Sequence, residues 1–265
     1  TSYRLRNRMN GPFTNTVTVW QALFLREALD RFFGSRAAWS WLIIEPAMHI
    51  GFMSAVWGMM RRNSMGGIDV SMWIILGMLS FFLFRRTAVQ TLHALDCNKP
   101  FFAFRQVRPF DVALMRASVE AFSMFFISLF ILGAAALMGL DVLPDDPLTA
   151  LLALAGLWLF GLGYGLVTSV CMRLVPDSGH IFQILMMPLY LISGVIMPVS
   201  FVPMPYRDWL LWNPLVHGLE LVRLGFFKNY HTLDVSFGYL YGWVLISIAL
   251  GLTLYRALET RLVTQ

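Results

Sequence analysis

Arg85 and Arg86 stand side by side about fifteen residues into an apolar run that opens at Val70, VSMWIILGMLSFFLFRRTAVQTL. A guanidinium near the middle of a helix in hydrocarbon costs on the order of 2.5–3.5 kcal/mol, less where the side chain snorkels toward water. Two readings follow. Either the pair faces a water-filled path and attracts anionic groups passing along it, or the helical run ends early and both are anchors at the membrane surface. Glu45 and His49, one turn apart on either side of Pro46, either pair across an interior or cap a kink at the proline. Aromatic residues make up 15% of the chain, and sugar rings stack on aromatic faces. Phe81, Phe82 and Phe84, with Trp57 and Trp73, could line such a path; Phe and Trp also simply fill membrane interiors.

Other chemistry is missing. No GxxxxGK[ST] phosphate loop occurs, and neither Lys99 nor Lys228 follows a glycine, so the chain is not an ATPase by itself. His49, His93, His180, His217 and His231 are widely spread, and Cys97 and Cys171 have no metal-ligand spacing, so no metal site is expected. Asp177, Ser178 and His180 suggest a triad by composition alone. Neighbours in one loop seldom reach triad geometry, and no GxSxG elbow holds the serine. No catalytic residue is expected.

The elements that position these residues belong to a membrane. Of the 265 residues, 58% are hydrophobic and 13% charged, about half the charge of an ordinary soluble domain. That composition excludes a disordered segment and argues against a nucleic-acid binder. About six runs reach the roughly 20 apolar residues that a ~30 Å hydrocarbon core demands. They are placed at 39–60, 70–92, 112–138, 148–170, 181–197 and 239–255. The fourth carries GLGYG at 161–165, a small-residue face suited to close helix contact. No cleavable signal peptide is expected, since Arg is scattered through the first forty residues.

Orientation follows from Lys and Arg, which favour cytoplasmic loops. With both termini cytoplasmic, fifteen of the twenty fall inside and five outside: Arg61, Arg62, Arg207, Arg223 and Lys228. Both cysteines then face the compartment where thiols stay reduced. The stretch VTVWQALFLREALDRFF interrupts its apolar side every turn with Arg26, Glu27, Asp30 and Arg31, the pattern of an amphipathic helix on the cytoplasmic leaflet, over 17–35. The external stretch 198–230 is broken by Pro198, Pro203, Pro205 and Pro214 into pieces too short to span; it is expected to re-enter the outer leaflet, with Tyr206, Trp209 and Trp212 at headgroup level. Two compact inside loops, 96–111 and 172–180, read either as plain connections or as surfaces that feel a soluble motor.

Three motifs in order carry a resemblance: LFLREALDRFFGSRAAWSWLIIEPAMH, NKPFFAFRQVRPFD and LLWNPLVHGLELVR. Over about Val17 to Arg256 the chain resembles the ABC-2-type permeases, most nearly the capsule-polysaccharide export inner-membrane proteins of Gram-negative bacteria. The resemblance implies an all-α membrane protein: six transmembrane helices, an N-terminal interface helix and a re-entrant external segment. It implies a homodimer with two copies of a separate ATPase, which binds the ATP and Mg; no cofactor is implied in this chain. A periplasmic polysaccharide co-polymerase or adaptor and an outer-membrane exporter would complete the route for an acidic, lipid-linked polysaccharide.

By the same resemblance, Arg26, Glu27, Arg31 and Phe32 lie in the helix that contacts the ATPase. Arg105, Arg108, Pro109 and Asp111 lie in a first coupling loop, and Arg173, Pro176, Asp177 and His180 in a second. Asn213, Pro214, His217, Glu220 and Arg223 form the external re-entrant motif that narrows the exit. Arg85 and Arg86, with Trp73, Phe81 and Phe84, are assigned to the substrate path on physical grounds alone. O-antigen and teichoic-acid exporters share the architecture and are the alternative substrate classes. An intramembrane enzyme would need a facing nucleophile and base, and a passive channel would need no motor.

Overall fold

The computed structural model describes residues 12–34, 38–60, 68–97, 107–228, 230 and 235–258. Among them there is no β-strand. The helices are α1 (Pro12–Phe33), α2 (Ala38–Met60), α3 (Val70–Leu92), α4 (Ala94–Cys97), α5 (Pro109–Leu137), α6 (Pro147–Leu174), α7 (Ser178–Ile184), α8 (Met186–Ile192), α9 (Tyr206–Leu210), α10 (Pro214–Phe226) and α11 (Phe237–Ala257). Five of them, α2, α3, α5, α6 and α11, are long and apolar enough to cross a membrane.

Local chemistry sets where these helices begin. Asp69 caps α3, its carboxylate accepting from Ser71 N at 2.7 Å and Met72 N at 3.3 Å. Asp146 caps α6, with Pro147 supplying the pre-set φ of a first helical residue, and Ser236 caps α11. Thr149 donates its hydroxyl to the Asp146 carboxylate and holds it below its usual pKa. In α3 the helix runs unbroken through the arginines to Leu92, so Arg85 and Arg86 sit about two turns inside it. The early end that would have made them simple surface anchors does not occur.

Helices α3 and α6 form the centre, and α3 is buried along almost its whole length. The predicted small-residue face is what brings them together. A Cβ on Gly161 would lie 2.8 Å from the Phe84 carbonyl oxygen, and one on Gly165 would lie 2.4 Å from Thr91 Cβ and 2.8 Å from the Ala88 carbonyl oxygen. The two backbones therefore touch, a contact open only to residues without side chains. On its other side α6 meets α11, where Ser169 and Tyr255 share a 2.8 Å hydrogen bond. Helix α10 packs into the angle between α3, α6 and α11, and α5 closes the far side of α3. Helices α2 and α11 leave most of their apolar surface exposed, as suits helices whose outer faces meet lipid.

The run expected at 181–197 is not one long helix. It is α7 and α8, seven residues each, which meet at Leu185 with its backbone still helical, and Pro188 lies in the second. The loss of a continuous ladder follows from that proline, which has no N–H to give. The pair still links the two ends of the bundle. Gln183 lies 2.8 Å from His93 at the end of α3, and the carbonyls of Gly194 and Val195 reach Arg223 beside Trp73, near the start of α3.

The α3–α6 seam makes a direct prediction. Gly165→Leu should destabilise the protein by about 1–3 kcal/mol or more through overpacking, read as a lowered thermal midpoint in detergent. Gly133→Leu, where a Cβ meets nothing within 4 Å, should change the midpoint by no more than ~0.5 kcal/mol equivalent.

Candidate functional site

Polar side chains gather at the two ends of this apolar bundle. At one end they are packed shut. Arg223 on α10 is 0% exposed. Its Nη1 donates to the Gly194 carbonyl at 2.8 Å and to Glu220 Oε1 at 2.9 Å, and its Nη2 donates to the Val195 carbonyl at 2.8 Å. The guanidinium also stacks over Trp73, 3.6 Å from the ring centre. Tyr230 donates its hydroxyl to the other Glu220 oxygen. Gly77 leaves room for the group: a Cβ there would lie 2.5 Å from Arg223 Nη2.

The remaining motif residues lock the same segment. Asn213 caps α10 through Leu215 N at 3.0 Å and donates to Ser193 Oγ at 2.9 Å. Ser236 N–H donates to His217 Nδ1 at 3.0 Å, which leaves the proton on Nε2 to reach the Leu211 carbonyl at 2.8 Å. His217 is thus a neutral joint between α10 and the start of α11. Asn213, His217, Glu220 and Arg223, singled out from sequence, come together. Arg223 is not an external loop charge, as the Lys and Arg count had it, but a buried one. Tyr230 was missed, because nothing local marks a loop tyrosine as the partner of a glutamate ten residues earlier.

The opposite end is more open. Helix α1 lies along the first turns of α5 and is held by three polar contacts. Trp20 Nε1 donates to Asp111 at 2.8 Å. Glu27 pairs with Arg116 at 2.7 Å, and Arg31 pairs with Glu120 at 2.6 Å. Leu23 is buried in the same seam, and Phe24 and Phe32 both meet Phe122 edge-on. The second Glu120 oxygen takes Arg86 Nε at 3.1 Å. Arg86 is therefore paired, although it still lines the open cavity beside Arg85. The assignment of Trp73, Phe81 and Phe84 to the substrate path is corrected: at 1%, 1% and 0% exposure they are core, drawn inward by the close approach of α6.

Arg85 differs. It is exposed, has no ion pair among the described residues, and lines a cavity of about 290 Å³ with Arg31, Glu45, His49, Phe82, Arg86 and Gln90. Glu45 and His49 share this cavity and form no direct bond with each other. Phe82 sits 5.6 Å from the His49 ring and is the one predicted aromatic of α3 that reaches the cavity. With the guanidiniums of Arg31, Arg85 and Arg86 against the carboxylates of Glu45 and, behind it, Glu120, the cavity favours anions.

The loop residues divide. Asp111 is 6% exposed, caps α5 through Arg108 N and holds Trp20; it is a structural joint rather than a free loop carboxylate. Pro109 is buried as the first residue of α5, and Arg108 is exposed. Arg105 lies outside the described residues. Arg173 pairs with Asp96 on α4 at 2.6 Å, while Asp177 and His180 are exposed at the start of α7. Burial first, and then the nearby Arg116, hold the His93 imidazole below its usual pKa in the α3–α4 joint. Arg26 is partly buried on α1, 3.7 Å from Asp30. Among the described residues no cluster of His, Cys, Asp and Glu is arranged to hold a metal. Glu120 was missed from sequence, although an acid one turn after Arg116 in an apolar helix is the available signal.

Comparison with known proteins agrees with this architecture. The family described as ABC-2 type transporter matches residues 18–227. Polysialic acid transport protein KpsM of Escherichia coli is 32% identical over 254 residues, covering 94% of this chain and 96% of that protein. Capsule polysaccharide export inner-membrane protein BexB of Haemophilus influenzae is 23% identical over 238 residues, 90% of each chain. Capsule polysaccharide export inner-membrane protein CtrC of Neisseria meningitidis serogroup A is 25% identical over 232 residues, 87% of each.

The closed cluster predicts a large penalty for breaking its pair. Arg223→Met alone strands Glu220 in an apolar interior and should cost about 3–5 kcal/mol. Arg223→Met combined with Glu220→Leu should recover a large part of that loss, measured as thermal midpoint in detergent.

Proposed function

This chain belongs to the ABC-2 type transporter family, and from that membership we propose that it is the membrane subunit of an ATP-driven exporter of capsular polysaccharide in the inner membrane of a Gram-negative bacterium. The observation that carries the reading is similarity along almost the full length of both chains to a polysialic acid transport protein. Two further relatives are named as capsule export inner-membrane proteins. Five long apolar helices suit a permease.

The chain has no phosphate loop, so ATP is hydrolysed by a separate subunit, present in two copies on a homodimer of this protein. Both termini lie in the cytoplasm. Helix α1 and the loops before α5 and α7 face the ATPase, and a periplasmic adaptor and an outer-membrane exporter receive the polymer. The open, arginine-lined cavity at the α1 end suits an acidic, lipid-linked chain, with Arg85 a lining cation that has no ion pair among the described residues. The buried Arg223 cluster holds the external segment that narrows the exit.

In this mechanism ATP closes the partner ATPases, the cytoplasmic elements pass that closure to the spans, and the path along the dimer interface admits polymer. Depletion of the protein in its own host tests the reading. Capsular polymer should accumulate inside the cell beneath a bare surface. Unchanged surface polymer would overturn the capsule assignment and point to another lipid-linked glycan. Arg85→Glu should lower export at least several-fold with the protein still folded, read as surface polymer per cell, because Arg85 has no ion-pair partner among the described residues to strand.

A further inference from the structure

We propose that Glu120 is the junction through which displacement of α1 is passed into α3. This rests on the exporter reading, since it needs a motor acting on α1. Glu120 is 2% exposed, stands on α5, and gives one oxygen to each of two helices: Oε1 to Arg31 of α1 at 2.6 Å and Oε2 to Arg86 of α3 at 3.1 Å. Three elements that carry different tasks therefore meet at a single buried charge.

The other contacts make α1 and α5 move as one piece. Trp20, Glu27 and Arg31 follow each other along α1 in the same order as Asp111, Arg116 and Glu120 along α5. Arg116 also donates to the His93 carbonyl at the end of α3, 3.3 Å away. Helix α1 is thus tied down at several points, with α3 held at two of them.

Stability alone does not require such a device. Apolar residues of similar volume usually hold helices together as well as a buried ion pair does, whereas removing one partner is severe. A charge that cannot be left unpaired in hydrocarbon makes the joint stiff. Helix α1 cannot draw away from α5 by degrees, because Glu120 would lose a guanidinium; α3 follows or the pairing changes as a whole. Arg86 and Arg85 are neighbours about 100° apart on the α3 cylinder. Arg86 pairs with Glu120 through Nε while both guanidiniums line the cavity, so a pull on one moves the other. Glu120 is a positioning residue here: it touches no substrate.

The test uses the chain together with its ATPase. Glu120→Gln keeps the size and an acceptor oxygen but removes the charge; Glu120→Asp keeps the charge. ATP hydrolysis is measured on the purified complex in proteoliposomes, and export as surface polymer per cell in the host. Glu120→Gln is expected to leave hydrolysis within about two-fold of wild type per assembled complex, while export falls by about tenfold or more. Glu120→Asp should retain more export than Glu120→Gln. A loss of hydrolysis and export in equal proportion, or in step with the amount of complex recovered, would mean that Glu120 only holds the fold and would overturn the proposal. So would unchanged export by Glu120→Gln. A wild-type protein that recovers no ATPase, or whose depletion spares surface polymer, overturns the exporter reading, and the junction with it, before any variant is compared.

Discussion

A fully buried guanidinium has to satisfy its donors from whatever surrounds it, and Arg223 decides much of what surrounds it. Its partners come from four places in the chain: the ring of Trp73 on α3, the Gly194 and Val195 carbonyls after α8, Glu220 on its own helix, and through Glu220 the hydroxyl of Tyr230. The turn after α8 has its carbonyls aimed inward, and Gly194 sits there at φ 72°, where a side chain would be strained. One cation thus fixes where the chain re-enters the bundle, how α8 ends, and why position 77 holds a glycine.

The two polar ends are built on opposite principles. Around Arg223 most donors and acceptors are matched, and the environment is closed. Around Glu120 the charges are matched within the protein only up to a point: one acid holds two bases, and Arg85 remains outside the arrangement facing a cavity. A closed network suits a fixed element, and an incomplete one suits a surface that meets charged cargo. The sequence difference between the ends is small, since both are Arg–Glu pairs within an apolar helix. Packing makes the distinction.

The helices were largely legible because hydrocarbon imposes a length and a polarity that few sequences satisfy by accident. The run 70–92 coincides with α3, and GLGYG reads as the contact face it is. That the stretch 198–230 breaks into helices too short to span was legible too, from proline spacing. What could not be read was direction of facing. Trp73, Phe81 and Phe84 look the same whether a helix is central or peripheral, and α3 is central only because glycines on α6 let it be. Arg86 looks like Arg85 until Glu120, thirty-four residues away in sequence, is brought beside it. The interruption of the ladder beside Leu185, and the end of the helix at Ile192, escaped notice because apolarity alone does not reveal them; Pro188 was the available clue to the first.

The glycine seam between α3 and α6 carries one more implication. Helices separated by long side chains can slide, since a leucine changes rotamer at little expense. Helices whose backbones touch cannot: a shift along the seam would drive Thr91 into the chain of α6 at Gly165. The α3–α6 pair, with α10 wedged beside it, therefore behaves as one body: a displacement handed to α3 carries α6 with it. Change in the bundle is then relative movement between that body and the helices around it, rather than slippage inside it.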